Sequence, residues 1–121
     1  MKKVVVLLVL VFGFATAQAQ EKVKKDTYVK NGDLVEATLY FDSGELSQIG
    51  FFTEDGKLTG EWISYNREGD KTAEAHYANG AKVGTWFFWK TDTLTEVDYE
   101  NSSITSVNTW KNDGTQVVIN K

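Results

Sequence analysis

The sequence predicts an all-β domain: an antiparallel meander of tandem hairpins in one twisted or curled sheet. Three observations carry this. Tryptophans recur 24 residues apart, at Trp62, Trp86 and Trp110. Turn-forming pairs punctuate the chain at Ser43-Gly44, Asp55-Gly56, Glu68-Gly69, Asn79-Gly80, Thr91-Asp92, Asn101-Ser102 and Asp113-Gly114. Between them lie runs rich in Val, Ile, Thr, Phe, Tyr and Trp, the residues that suit a pleated, half-buried surface. The chain has no proline, so nothing blocks a ladder hydrogen bond.

In chain order, the first segment reads as an export signal over residues 1–19. Lys2 and Lys3 precede an apolar run from Val4 to Phe14, and Ala17-Gln18-Ala19 offers a small-x-small cleavage site. The run is shorter than the ~20 residues of a membrane-spanning helix. Cleavage after Ala19 starts the mature chain at Gln20, and an uncleaved anchor is the other reading. Residues 20–33, lysine-rich at the start, are expected to be a flexible lead-in, and 34–121 the folded domain. Strands are expected near 34–41, 46–53, 58–65, 71–77, 82–89, 94–99, 104–110 and 116–119. Asn-Gly and Asp-Gly supply the positive φ of tight hairpin turns.

Composition narrows the function classes. Without the signal the chain carries 11 basic and 17 acidic side chains, a net charge of −6. Such a surface disfavours nucleic acid and anionic headgroups. The absence of cysteine removes disulfides, thiolate metal sites and cysteine nucleophiles. The domain must therefore hold itself together by apolar burial, and its aromatic rings supply the area.

Alternation assigns the faces. If Asn79-Gly80 is a two-residue loop, Tyr77 faces Lys82, Ala75 faces Gly84 and Ala73 faces Trp86. A three-residue loop Glu54-Asp55-Gly56 puts Phe52, Gly50, Gly60 and Trp62 in the same phase, so that large rings lie over Gly and Ala. The expected core is then Phe52, Gly60, Trp62, Tyr77, Gly84, Trp86, Tyr99 and Trp110. Gly60 and Gly84 are read there as space for neighbouring rings.

The pattern aromatic-x(2–3)-Gly-x(3)-Gly-x-Trp-x-x-aromatic is carried by Phe52, Gly56, Gly60, Trp62 and Tyr65. It recurs at Tyr77, Gly80, Gly84, Trp86 and Trp89. It resembles the MORN repeat, in the variant found in exported bacterial and antitoxin-like hairpin-repeat proteins. Ser103 and Asn108 stand where a third copy would have its glycines, and this copy is read as a cap. The resemblance implies a sheet of hairpins used for protein binding, or for lipid contact in some members, without a catalytic site. An antitoxin or immunity role is implied only by those relatives.

The opposite face carries Ile63, Tyr65, Phe87 and Trp89. These form either a patch covered by the N-terminal strands or Val117-Val118-Ile119, or a recognition surface. Flat rings also suit sugars, so a glycan is an alternative ligand to a cell-envelope protein. Glu74 and His76 share that face with Glu96 and Asp98, but an intervening strand holds the pairs roughly 9.5 Å apart. That is too far for a compact metal shell; a solvated acidic face fits better, and a weak hydrolase is the least favoured reading. No nucleophile elbow or phosphate-cradling loop occurs. The expectation is a non-catalytic, metal- and cofactor-free interaction module, periplasmic or secreted, in a Gram-negative bacterium. Pairing of two copies through a strand edge is also open.

Overall fold

The computed structural model describes residues 24–117, and the segment read as an export signal lies outside them. These residues form one open antiparallel sheet with no helix. Its strands are β1 (Thr27–Asn31), β2 (Leu34–Tyr40), β3 (Leu46–Thr53), β4 (Leu58–Tyr65), β5 (Lys71–Ala78), β6 (Ala81–Lys82), β7 (Gly84–Trp89), β8 (Thr93–Glu100), β9 (Ser103–Lys111) and β10 (Gln116–Val117). They lie side by side in chain order, with β6 and β7 as two pieces of one interrupted strand. Antiparallel neighbours joined by short turns need no crossover, and the turn pairs named above fall between the strands. Asn79 and Gly80 both take positive φ, as do Asn101 and Ser102, which closes two hairpins tightly.

The lead-in expected over 20–33 is corrected by β1. Thr27–Asn31 pairs with β2 from Thr27 opposite Thr38 to Asn31 opposite Leu34. Its residues are all exposed, so the lysines around it are compatible with an edge strand. Residues 118 and 119, expected to extend the last strand, lie outside the described residues.

The core is a lateral row of side chains on one face. Ala37 stands opposite Gly50, Trp62 opposite Ala75, and Trp86 opposite Val97. Ala37, Trp62, Ala75, Trp86 and Val97 are the buried apolar residues, with Phe52, Tyr77, Phe88 and Tyr99 packed against them. Phe52 meets Trp62 edge-on at 5.0 Å, and Trp86 sits 5.1 Å from Tyr77 and 4.9 Å from Tyr99. Small and large residues alternate along the row, so each indole has a neighbour that yields space. That is how a single layer buries tryptophans to 6% and 7% exposure. Each such ring removes 150–250 Å² of surface from water.

Gly50 is the close-approach position. A Cβ there would stand 2.0 Å from Trp62 Cδ2, so the indole lies directly on its backbone. Gly60 and Gly84, expected to make that room, do something else. A Cβ at Gly60 would meet Phe51 at 3.6 Å, and one at Gly84 would meet His76 at 3.7 Å, both ordinary contacts. Both glycines have positive φ, +68° and +71°. They stand where the strand takes in two extra residues. Phe51 faces Thr59 while Ile49 faces Ile63, and Tyr77 faces Lys82 while Glu74 faces Phe87. These bulges correct the expected register beyond Tyr77 and Lys82: Phe88, not Trp86, faces Ala73. The indole N–H groups of Trp62 and Trp86 reach back across the bulges, donating to the carbonyls of Phe51 (2.9 Å) and His76 (3.0 Å).

The last hairpin differs, and it moves Trp110 out of the expected core. Tyr99 faces Ile104 but Asp98 faces Ser106, so only Thr105 is extra. A shift of one residue exchanges the faces of everything beyond it. Trp110 consequently stands opposite Leu94, on the face away from Trp62 and Trp86. The one-residue bulge sets Val107, itself half exposed, opposite Val97 and Trp110 opposite Leu94. A two-residue bulge would set Asn108 on Val97, and Ser106 lacks the freedom of Gly84 at positive φ.

Candidate functional site

The second face of the sheet holds the site. Its residues follow from the same register: Ile63 stands opposite Glu74, Glu74 opposite Phe87, and Phe87 opposite Glu96. One row further out, Trp89 stands opposite Leu94 and Leu94 opposite Trp110. Phe87 and Trp89 stack at 5.9 Å with their planes 26° apart. Phe87, Trp89, Leu94 and Trp110 thus form a continuous aromatic and aliphatic ridge across β7, β8 and β9.

The four residues expected to make one patch do not all join it. Ile63 is parted from Phe87 by the carboxylate-bearing Glu74 and packs instead toward Ile49 and Phe51, around a small cleft of about 70 Å³. Tyr65 pairs with Lys71, whose ammonium lies 5.7 Å from the Trp89 ring centre. Phe87 and Trp89 are brought together; Tyr65 approaches them only across Lys71. Leu94 and Trp110 complete the ridge, and sequence reasoning missed both. No turn count signals Trp110: Trp86 follows Gly80 by six residues and Trp110 follows Ser102 by eight, both even, and only the single extra residue Thr105 moves Trp110 to the other face.

Two depressions flank the ridge. One, of about 540 Å³, is lined by Asn66, Asp70, Lys71, Thr72, Trp89 and Lys90, among others. The other, of about 460 Å³, lies against Trp89, Lys90, Leu94, Glu96, Trp110 and Lys111. Trp89 and Lys90 wall both. Each volume falls in the range of small-molecule sites, about 300–1,000 Å³.

The electrostatics of this end of the sheet are mixed. Lys71 is bound to Glu74 at 2.7 Å, and that hydrogen bond is the main cause holding the ammonium above its usual pKa. Neither Lys90 nor Lys111 forms an ion pair among the described residues. The indole N–H of Trp110 is buried without an acceptor among the described residues, whereas those of Trp62 and Trp86 are satisfied by bulge carbonyls. A buried donor left unpaired costs about 1–3 kcal/mol.

The acidic and histidine side chains are dispersed. Phe87 separates Glu74 from Glu96, and Asp98 accepts a hydrogen bond from the Thr85 hydroxyl at 2.6 Å. Among the described residues no group of three His, Asp or Glu side chains is arranged to hold a metal ion. What this face offers chemically is a flat, wettable aromatic surface with hydrogen-bonding walls.

Compared with known proteins, the chain matches no family model, no curated protein and no solved structure.

Proposed function

We propose that this chain is an exported, non-catalytic binding module built from MORN-like hairpin repeats, with the Phe87–Trp89–Leu94–Trp110 ridge as its working surface. The observation that carries the reading is the position of Trp89. It stands between two depressions on a sheet face that no second layer of the described residues covers. Aromatic side chains held on paired strands present a large contact area at small conformational cost, which is why they dominate recognition surfaces. The repeat reading is supported by the 24-residue spacing of Gly60 and Gly84, two positions with the same backbone conformation and the same flanking bulge. Export rests on the basic, apolar and small-residue sequence of residues 1–19, and it makes a component of the cell envelope the natural partner.

The test is retention of solubilised envelope material by the immobilised protein. Trp89→Ala is expected to abolish retention while the protein stays folded, its melting temperature falling by on the order of 5 °C because the stack on Phe87 is lost. Retention unchanged in both Trp89→Ala and Trp110→Ala would remove the ridge from the account.

A further inference from the structure

We infer that Asn31 is a modification site: in the folded protein its side chain cyclises onto the Gly32 amide and leaves aspartate or isoaspartate. This chemistry is independent of the proposed binding role and follows from a comparison among the turns.

Asparagine before glycine is labile because glycine, with no side chain, lets its amide nitrogen reach the preceding side chain. The deprotonated Gly32 nitrogen attacks Asn31 Cγ. The N–Cγ bond forms, the Cγ–Nδ2 bond breaks, and ammonia leaves carrying the proton that the Gly32 nitrogen lost. Water then opens the cyclic imide at one of its two carbonyls. Opening at Cγ gives aspartate; opening at the main-chain carbonyl gives isoaspartate, whose backbone runs through the former side chain. One water enters, one ammonia leaves, and nothing is oxidised.

The chain has four pairs able to cyclise in this way: Asn31-Gly32, Asp55-Gly56, Asn79-Gly80 and Asp113-Gly114. In three of them the glycine amide is tied to a carbonyl. Gly56 donates to Thr53 at 3.0 Å, Gly80 to Leu58 at 2.7 Å and Gly114 to Lys111 at 2.9 Å. The Asn101-Ser102 turn is guarded likewise, with Ser102 donating to Lys82 at 2.8 Å. Gly32 has no backbone acceptor among the described residues. A tied nitrogen must first break its bond, and the net worth of one such bond slows attack roughly threefold to tenfold. Only Asn31 escapes this.

Cyclisation also requires the backbone to rotate, and β1 yields more easily than the inner hairpins. It is an edge strand with a single neighbour, and all five of its residues are exposed. Such segments open at the low end of the local stability range. Asn79-Gly80 lies instead between β5 and β6, with Gly80 anchored to the hairpin before it.

The product weakens that edge. A carboxylate at position 31 stands two residues from Asp33, and an isoaspartyl link lengthens the backbone where Asn31 faces Leu34. β1 then loosens from β2. Tyr28, which faces the fully buried Ala37 and lies 6.4 Å from Phe52, leaves the end of the core row.

The test is peptide mapping by mass spectrometry of the folded protein held at mildly alkaline pH, beside the same protein in urea. In the folded protein Asn31 is expected to convert at least about tenfold faster than Asn79. In urea the two rates should agree within about twofold, because both are then unprotected Asn-Gly pairs. Asn31→Gln should remove most of the ammonia released by the folded protein. Hydrogen exchange of the β1 amides should be at least about tenfold faster in the aged protein than in the fresh one. Asn31→Asp, which adds the charge without the extra backbone atom, should speed it about threefold or less.

Equal conversion of Asn31 and Asn79 in the folded protein overturns the inference, because the Leu58 bond would then protect nothing. Asn31 unchanged in the folded protein while the urea sample converts overturns it outright. Conversion with unchanged β1 exchange overturns the loosening of the edge strand.

Discussion

The hairpins closed at Gly56 and Gly80 and the hairpin closed at Ser102 start alike and end on opposite faces. In the first two, a glycine at positive φ lets the returning strand take in two extra residues, and the next tryptophan lands in the core row. In the third, Thr105 alone is extra, and Trp110 lands on the other side. One residue of bulge thus decides whether an indole serves the fold or the surface. The same comparison explains the hydrogen bonds. A tryptophan on the core side donates to a carbonyl across the bulge, and the displaced one has no acceptor among the described residues.

This comparison can be broken at its strongest point first. Gly50→Ala would place a Cβ inside the Trp62 indole, which has no room to retreat beneath Phe52 and Ala75. A loss on the order of 3 kcal/mol is expected in urea unfolding. A neutral result would mean that the indole does not rest on that backbone.

Next come the tryptophans themselves. Trp62→Phe and Trp86→Phe each lose ring volume and a hydrogen bond to a carbonyl, and about 2 kcal/mol of stability should go with them. Trp110→Phe deletes a donor that has no partner among the described residues, and relief of its desolvation cost offsets the lost ring volume, so the net change should stay within about 0.5 kcal/mol in the same assay. Three equal losses would erase the distinction between the hairpins. Gly84→Ala sharpens it further. With no steric conflict at that site, the cost should be only the left-handed conformation, about 1 kcal/mol, and Gly84→Asn should cost less.

The smallest effect is in alkaline solution. Burial, and then the neighbouring Tyr99, raise the Tyr77 hydroxyl above its ordinary pKa of 10.0. The unfolded chain therefore ionises first. Stability from this group is complete below pH 10 and declines as pH rises through the folded value. Tyr77→Phe should flatten that decline, as read from melting temperatures above pH 10; an unchanged slope would place the phenol in solvent.

Much of the sheet was legible because turns are local. Asp55-Gly56, Asn79-Gly80 and Asn101-Ser102 carry their own backbone chemistry, so the strands between them fall close to where alternation predicts. What escaped depends on strand pairing, which is not local. Thr27-Tyr28-Val29 before Asn31-Gly32 held a strand signal, yet the charged, lysine-rich residues around it made it look like a lead-in. Gly60 and Gly84 were visible as special positions, but their φ values were not, so a backbone requirement read as a space requirement. That in turn concealed the bulges, and with them the face of Trp110. The candidate site suffered most. Phe87 and Trp89 were recognisable from alternation alone, whereas Leu94 and Trp110 enter only through the altered register, and Ile63 leaves because Glu74 stands between.

The placement of Trp110 is the claim on which both the fold comparison and the site depend, and its indole proton reports it directly. In a nuclear Overhauser spectrum of the protein, Trp110 should show contacts to the Leu94 methyl groups and none to those of Val97. Contacts to Val97, alongside Trp86, would restore Trp110 to the core row and dissolve the ridge.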